Sequence, residues 1–138
     1  MGQIFRVQLP IRFSYCDPAG IVYFPQFFNL INSLMEDWFM EGLTTSYPDL
    51  IMKQRLGTPT VDIQCEFIKP CRYGELLTLE LHVAKLGRSS FQLAHEGKVA
   101  GELRWRARHV LCFMSTDSYR AVPIPEALRA RMEKFVTE

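Results

Sequence analysis

The chain has 138 residues, of which 16 are lysine or arginine and 15 aspartate or glutamate, and its formal net charge is +1. This length predicts one domain over residues 1–138, and the near balance of charge argues against a nucleic-acid-binding protein. The sequence shows no secretory signal and no apolar run of roughly 18 residues, so we expect a cytoplasmic protein without membrane association. The cysteine spacing is unlike that of a zinc site, so we expect no metal, and we expect reduced thiols unless disulfides form.

The first half of the chain predicts a strand, a short loop and one long helix. Apolar residues alternate with polar ones over residues 4–13, which indicates a half-buried strand, with Pro10 marking an edge or a bulge. After the loop, Pro25 suits the first position of a helix, and apolar residues recur at helical spacing as far as Gly42, which reads as the helix end. So wide an apolar stripe requires a sheet curled around the helix.

The second half predicts four further strands and a terminal helix. Alternating apolar residues mark strands at residues 61–67, 77–83, 91–95 and 103–113, with turns at residues 73–75, 87–89 and 97–101. Residues 44–54 predict a short helix and a loop, and a final helix begins at Pro125. One long helix over residues 25–41, followed by antiparallel strands, indicates an α+β fold.

Residues 15–25, Tyr-Cys-Asp-Pro-Ala-Gly-Ile-Val-Tyr-Phe-Pro, join the first strand to the helix. Asp17 is the only carboxylate in this loop and precedes a helix N-terminus, which carries unpaired N–H groups and a positive partial charge of about half an electron. The amides of Phe24, Gln26 and Phe27 would polarise a thioester or ester carbonyl, whereas Pro25 has no N–H to offer. The carboxylate could then attack the carbonyl or activate water. An Asx-turn or a helix cap explains the same aspartate in purely structural terms.

The loop resembles the signature loop of the hotdog-fold acyl-CoA thioesterases of the 4-hydroxybenzoyl-CoA thioesterase family. Three later segments are similar to landmarks of that family in the same order: Gly57-Thr58-Pro59, Lys85-Leu86-Gly87-Arg88-Ser89-Ser90-Phe91 and Ile124-Pro125-Glu126. The resemblance implies a hotdog fold, a curved antiparallel sheet of about five strands wrapped around one long helix, assembled into homodimers or homotetramers. It also implies that Asp17 is the nucleophile or general base and that the Phe24 N–H is the main donor to the thioester oxygen.

The resemblance further implies a set of substrate-binding residues. Arg88, Ser89 and Ser90 are expected near the CoA phosphates, because arginine suits bidentate phosphate contacts, although an ordinary polar turn explains them too. Asn32 is expected where the acyl group points, although a buried hydrogen-bond partner or a solvent-facing position explains it too. The hydroxybenzoyl-specific branch of the family carries an acid at the matching place. The remaining expected substrate-binding residues are Gly20, Tyr23, Gly57, Thr58 and Thr60.

We therefore predict an acyl-CoA thioesterase that releases a carboxylic acid and free CoA and needs no cofactor, since CoA is part of the substrate. A carboxylate needs no activation at neutral pH and a thiolate is a good leaving group, so no histidine is required. His82, His95 and His109 fall on different predicted strands without metal-like spacing and are expected to be structural or surface residues. The alternatives are a hotdog dehydratase or hydratase, a non-catalytic acyl-CoA-binding protein, and a small-ligand module without affinity for CoA. The loop holds no histidine, which argues against dehydration. The acyl group stays open.

Overall fold

The computed structural model describes residues 2–137, which form a five-stranded sheet, a two-stranded sheet and three α-helices. In chain order the elements are β1 (Phe5–Pro10), α1 (Pro25–Asp37), α2 (Tyr47–Met52), β2 (Leu56–Gly57), β3 (Thr60–Phe67), β4 (Leu76–Leu86), β5 (Ser90–Val99), β6 (Glu102–Cys112), β7 (Met114–Ser115) and α3 (Glu126–Glu133). No helix in this part of the chain is both long and apolar enough to cross a membrane. The predicted sheet of about five strands with one long helix is confirmed.

The large sheet has the order β1–β4–β5–β6–β3, with every neighbouring pair antiparallel, so β1 and β3 form its two edges. Side chains alternate between its faces: Leu79 and Leu81 of β4 are fully buried, whereas Thr78 and His82 on the opposite face are partly exposed. The buried face contacts α1, where the ring centroid of Phe27 lies 5.2 Å from that of Trp105. The core therefore consists of an apolar helix packed against one face of the sheet, as predicted.

Helix α1 begins at Pro25, as predicted, and continues beyond Asp37 as a π-helical turn over Trp38–Gly42. Trp38 and Phe39 in this turn are completely buried, which ties the end of the helix to the core. A Cβ atom on Gly42 would lie 2.6 Å from Cδ1 of Trp38, so a larger residue would push the indole away. Gly42 thus closes the helix, as expected, by leaving room for a tryptophan side chain.

The predicted pattern is wrong at Phe13 and at Gly97. Phe13 was expected on the buried face of the first strand, but β1 ends at Pro10, and Phe13 is 73% exposed in a 3-10 turn. Gly97 was assigned to a turn, but it lies within β5, where a Cβ atom would be 2.1 Å from Nε1 of Trp105. The glycine is needed for the indole that packs over it, and the turn comes later, at residues 100–101, where Gly101 has φ +80°.

Candidate active site

The loop that carries Asp17 is closed by its own hydrogen bonds. The Asp17 N–H donates to the Ile21 carbonyl at 3.0 Å, and the Gly20 N–H donates to the Asp17 carbonyl at 2.9 Å. The Ala19 N–H donates to Asp17 Oδ1 at 2.9 Å, which is the Asx-turn of the structural explanation. This turn uses one carboxylate oxygen, and Oδ2 accepts no hydrogen bond from residues 2–137. The structural role of Asp17 therefore leaves one oxygen available for chemistry.

Backbone hydrogen bonds hold both sides of this loop against the rest of the fold. The Tyr23 N–H donates to the Tyr15 carbonyl at 2.9 Å, and the Tyr73 N–H donates to the Gly20 carbonyl at 2.9 Å. Gly20 has φ +76°, a left-handed conformation that glycine adopts without strain. Gly20 thus shapes the loop through its backbone, while the side chain of Tyr23 is 52% exposed beside the ring of Phe24.

The first turn of α1 leaves one amide free near the loop. The Gln26 N–H donates to the Tyr23 carbonyl at 2.8 Å, and the Phe27 N–H donates to the Phe24 carbonyl at 3.1 Å. These two amides, expected among the donors to a thioester, are therefore already engaged, because the chain turns tightly before Pro25. The Phe24 N–H has no acceptor among the described residues. It is the donor best placed to bind an external carbonyl oxygen.

An open apolar cavity of about 270 Å³ adjoins the start of the helix. Its lining includes Phe24, Phe27, Phe67 and Ile68, and the Phe24 ring is 57% exposed. The ring centroid of Phe67 lies 6.4 Å from that of Phe24 and 5.5 Å from that of Phe27. A ligand whose carbonyl binds the Phe24 amide would thus meet an aromatic surface beside it.

A second open cavity, of about 290 Å³, lies farther along α1 and contains Asn32 and Thr60. Asn32 is exposed on the helix, and the apolar part of the lining includes Phe28 and Ile63. A β-bulge after Thr60 shifts the register of β3 and turns Thr60 toward the helix side. Val61, predicted on the buried face, is instead 62% exposed, because it is the extra residue of the bulge. This cavity brings together two of the predicted substrate-binding residues, Asn32 and Thr60.

Thr58 and Gly57 lie outside the lining of this cavity. The Thr58 side chain is buried, and its hydroxyl forms a hydrogen bond with the Tyr47 hydroxyl at 2.8 Å. Gly57 belongs to β2, where a Cβ atom would make ordinary contact, 3.5 Å from Thr116 Cγ2. The structure therefore gives Thr58 a structural partner and shows no steric requirement for glycine at residue 57.

The turn between β4 and β5 contains Arg88, Ser89 and Ser90. Its carbonyls anchor the following segments: the Phe113 N–H donates to Ser89, and the Ile124 N–H donates to Arg88, each at 2.9 Å. The side chain of Arg88 is exposed and forms no ion pair or hydrogen bond within residues 2–137. A fixed backbone with a free guanidinium suits an anion site, and an ordinary surface turn has the same features.

The predicted site residues lie at opposite ends of the sheet. Phe67, beside the Phe24 amide, ends β3, and Thr60 begins it, so roughly 23 Å separates them along the strand. Strand β4 likewise runs from the end that holds the Asp17 loop to the turn that holds Arg88, a distance of roughly 33 Å. One protomer therefore does not bring the loop together with Thr60 or Arg88.

Two buried histidines lie behind Thr60, and their contact was not predicted from the sequence. His109 Nε2 lies 2.8 Å from Thr60 Oγ1, and His109 Nδ1 lies 3.2 Å from His95 Nε2. Burial, together with the neighbouring imidazoles of His109 and His82, lowers the pKa of His95 to about 3, and burial lowers the pKa of His109 to about 4. Both rings are thus neutral at pH 7. The available signal was their position among the apolar, inward-facing residues of two adjacent strands.

Comparison with known proteins assigns the chain to a family. Residues 11–132 match the family model described as thioesterase-like superfamily. The 4-hydroxybenzoyl-CoA thioesterase of Pseudomonas sp. (strain CBS-3) is 29% identical over 135 residues, covering 91% of this chain and 94% of the relative. The 1,4-dihydroxy-2-naphthoyl-CoA hydrolase of Nostoc punctiforme is 26% identical over 121 residues, covering 86% and 81%.

A solved structure gives the same result for the fold. The crystal structure of a 4-hydroxybenzoyl-CoA thioesterase mutant complexed with 4-hydroxybenzoyl-CoA superposes with a TM-score of 0.86 at 24% identity, covering 94% of this chain and 98% of that chain. The predictions of the hotdog fold and of a thioesterase are confirmed, and the chain belongs to the thioesterase-like superfamily.

Proposed function

We propose that the protein hydrolyses aromatic acyl-CoA thioesters to the carboxylic acid and free CoA, with Asp17 and the Phe24 amide as the catalytic groups. The observation that carries the proposal is the pairing of a carboxylate oxygen free of hydrogen bonds with a free backbone N–H at the start of α1. The aromatic lining of the adjoining cavity offers an apolar surface beside the thioester carbonyl, which suits a substrate whose carbonyl is attached to a ring. The names of the two relatives, both hydrolases or thioesterases of aroyl-CoA substrates, support the same class.

In the proposed reaction the Phe24 N–H donates a hydrogen bond to the thioester oxygen and stabilises the negative charge that develops there. Asp17 Oδ2 then acts in one of two ways. It attacks the carbonyl carbon and expels the CoA thiolate, leaving a mixed anhydride that water hydrolyses, or it removes a proton from the water that attacks. Neither route requires a cofactor, since a carboxylate can itself act as the nucleophile or the base, and the thiolate is a good leaving group.

A homodimer is part of this proposal, because it brings the separated groups together. Strand β3 is an edge strand, and Val61 and Phe67 within it and Ile68 just after it expose 62%, 47% and 45% of their surface. An edge strand left unpaired is a template for association with another strand. If two copies of β3 pair in antiparallel fashion about a two-fold axis, the Thr60 end of one lies beside the Phe67 end of the other. The Asp17 loop of one protomer and the Thr60 and Arg88 region of its partner would then form one site.

The test of the proposed function is a thiol-release assay over a panel of CoA thioesters. Benzoyl-, hydroxybenzoyl- and dihydroxynaphthoyl-CoA represent the aromatic class, and acetyl-, hexanoyl- and palmitoyl-CoA represent the aliphatic class. We expect kcat/KM to be highest within the aromatic class. Binding of aroyl-CoA without release of thiol would support the acyl-CoA-binding alternative, and hydration of an enoyl thioester would support the hydratase.

Replacement of Arg88 by alanine is expected to raise KM for a CoA thioester by roughly three- to tenfold and to change kcat little. A phosphate contact remote from the carbonyl is made equally in the ground and transition states, so its loss weakens binding without slowing chemistry. KM for the matching pantetheine thioester, which lacks the nucleotide, should stay the same. The control is Lys134→Ala, which removes one exposed positive charge elsewhere. Equal KM values for CoA and pantetheine thioesters in the wild type would remove the reason for a phosphate site.

Replacement of Asn32 by aspartate is expected to increase the preference for 4-hydroxybenzoyl-CoA over benzoyl-CoA. A carboxylate only accepts hydrogen bonds and forms a charge-assisted one with a phenol, whereas the amide of Asn32 donates and accepts without charge. We expect the wild-type preference to be within roughly tenfold and the variant to exceed it. The ratio of kcat/KM for the two thioesters measures the change, and Ser33→Asp, one residue along the helix, is the charge control. An unchanged ratio would show that Asn32 does not face the acyl group.

A further inference from the structure

Behind Thr60 lies a chain of three side chains joined by hydrogen bonds: Thr60 Oγ1 to His109 Nε2 at 2.8 Å, and His109 Nδ1 to His95 Nε2 at 3.2 Å. The chain ends at His95 Nδ1, which is buried and has no hydrogen-bond partner among the described residues. Its other end, Thr60, lines the cavity that also contains Asn32. This series of hydrogen bonds has a buried end at His95 and an open end at the cavity. The direction in which its members donate follows from the number of protons that the two rings carry.

Each histidine is neutral and carries one N–H, so only two arrangements make both hydrogen bonds. In the first, His95 Nε2–H donates to His109 Nδ1, and His109 Nε2–H donates to the Thr60 oxygen. In the second, every donor is reversed: Thr60 donates to His109, His109 donates to His95, and His95 Nδ1 carries a proton. The two arrangements differ in what is left at the buried end, a bare lone pair in the first and an N–H without an acceptor in the second.

The first arrangement is favoured, because a buried N–H without an acceptor is rarer in proteins than an acceptor without a donor. The low pKa of both imidazoles makes both rings neutral, which is true of either arrangement, so the choice between them depends on the buried end at His95 Nδ1. In the first arrangement Thr60 Oγ1 already accepts a hydrogen bond from His109. Its own O–H is then free to donate toward the cavity.

From this direction we infer that His95 and His109 are positioning residues that present the Thr60 hydroxyl as a hydrogen-bond donor, so that the enzyme favours acyl groups with an acceptor at that place. This inference rests on the proposed function, because it takes the cavity of Thr60 to be the acyl site. The substrate class it names is an aromatic acyl group bearing an ether, carbonyl or hydroxyl oxygen. An arrangement with the reverse direction would offer only lone pairs and would favour a donor.

The direction can be measured without any substrate. In protein labelled with ¹⁵N-histidine, long-range ¹H–¹⁵N correlation spectra identify which ring nitrogen carries the proton, and a His82→Gln variant removes one of the three sets of signals to aid assignment. We expect the Nε2–H tautomer for both His95 and His109 at neutral pH. A proton on Nδ1 of His95, or a charged ring, would overturn the inference. This readout stands even if the protein proves inactive toward aroyl-CoA, so it is separable from the proposed function.

The consequence for specificity is measured with acceptor-bearing and apolar substrates of equal size. We expect kcat/KM for methoxybenzoyl-CoA to exceed that for ethylbenzoyl-CoA by about three- to tenfold at one or more ring positions in the wild type. Thr60→Val and His109→Leu should bring this ratio close to one. Thr60→Ser keeps the hydroxyl, and His109→Gln keeps an amide that can donate to Thr60, so each of these single variants should retain most of the wild-type ratio. A ratio that Thr60→Val leaves unchanged would contradict the inference.

Discussion

Asp17→Asn is expected to abolish nearly all thioester hydrolysis while the fold and the binding of substrate persist. The asparagine oxygen can accept the same hydrogen bond from the Ala19 N–H, so the Asx-turn of the loop should survive. An amide, however, neither attacks a carbonyl carbon nor takes a proton from water at neutral pH. We expect kcat to fall by roughly 10³-fold or more, with little change in the dissociation constant of the thioester.

Thiol release gives kcat, and calorimetric titration of the inactive variant with benzoyl-CoA gives the dissociation constant. Asp49→Asn is the matched control, because Asp49 is exposed and forms only a surface ion pair with Lys53. Its kcat should equal that of the wild type. Near wild-type turnover by a folded Asp17→Asn protein would mean that Asp17 has only the structural role that its Asx-turn provides, and that the chemistry lies elsewhere.

Features encoded by short segments were predictable from the sequence. The start of α1 at Pro25 follows from local rules, and so do the turn before the helix and the end, at Gly42, of the π-helical turn that continues it. The faces of β4 and β6 follow from the alternation of apolar residues, since one face of each strand is buried. In these places the local conformational preference agrees with the final packing, so a short segment of sequence is enough to predict the structure.

Features that depend on contacts between distant segments were not predictable. Gly97 looks like a turn residue until Trp105, on the neighbouring strand, is seen to occupy the space above it. The bulge that exposes Val61 and turns Thr60 inward has no local signature, because it is set by the pairing with β6. The contact between His95 and His109 likewise requires the register of two strands, in which these residues are diagonal neighbours. Only the pairing reveals that they meet.

The same limit applies to the candidate site, whose residues could be named from the sequence but not located relative to one another. From the sequence, Asp17, Thr60 and Arg88 were all expected in one active site. In the structure the first lies at one end of the sheet and the other two at the opposite end. Either these residues do not belong to one site, or a second copy of the chain completes it. An experiment with mixed dimers distinguishes the two possibilities.

The expected result is that two inactive variants regain activity when they share a dimer. Asp17→Asn removes the carboxylate from one half of the proposed site, and Asn32→Trp fills the cavity of about 290 Å³ in the other half. In a mixed dimer one site would contain both changes and the other neither. Random association makes half of the dimers mixed, each with one intact site, so equal coexpression should give about a quarter of wild-type activity.

The two variants are coexpressed with different affinity tags, and the mixed dimer is isolated by two successive purifications. Its activity should then be about half of that of the wild type, because one of its two sites is intact. A double variant carrying both changes in one chain, coexpressed with wild type, is the control, since its mixed dimer has a defect in each site and should be nearly inactive. If the active site instead lay within one protomer, these results would be reversed: the first mixed dimer would be inactive and the control half active.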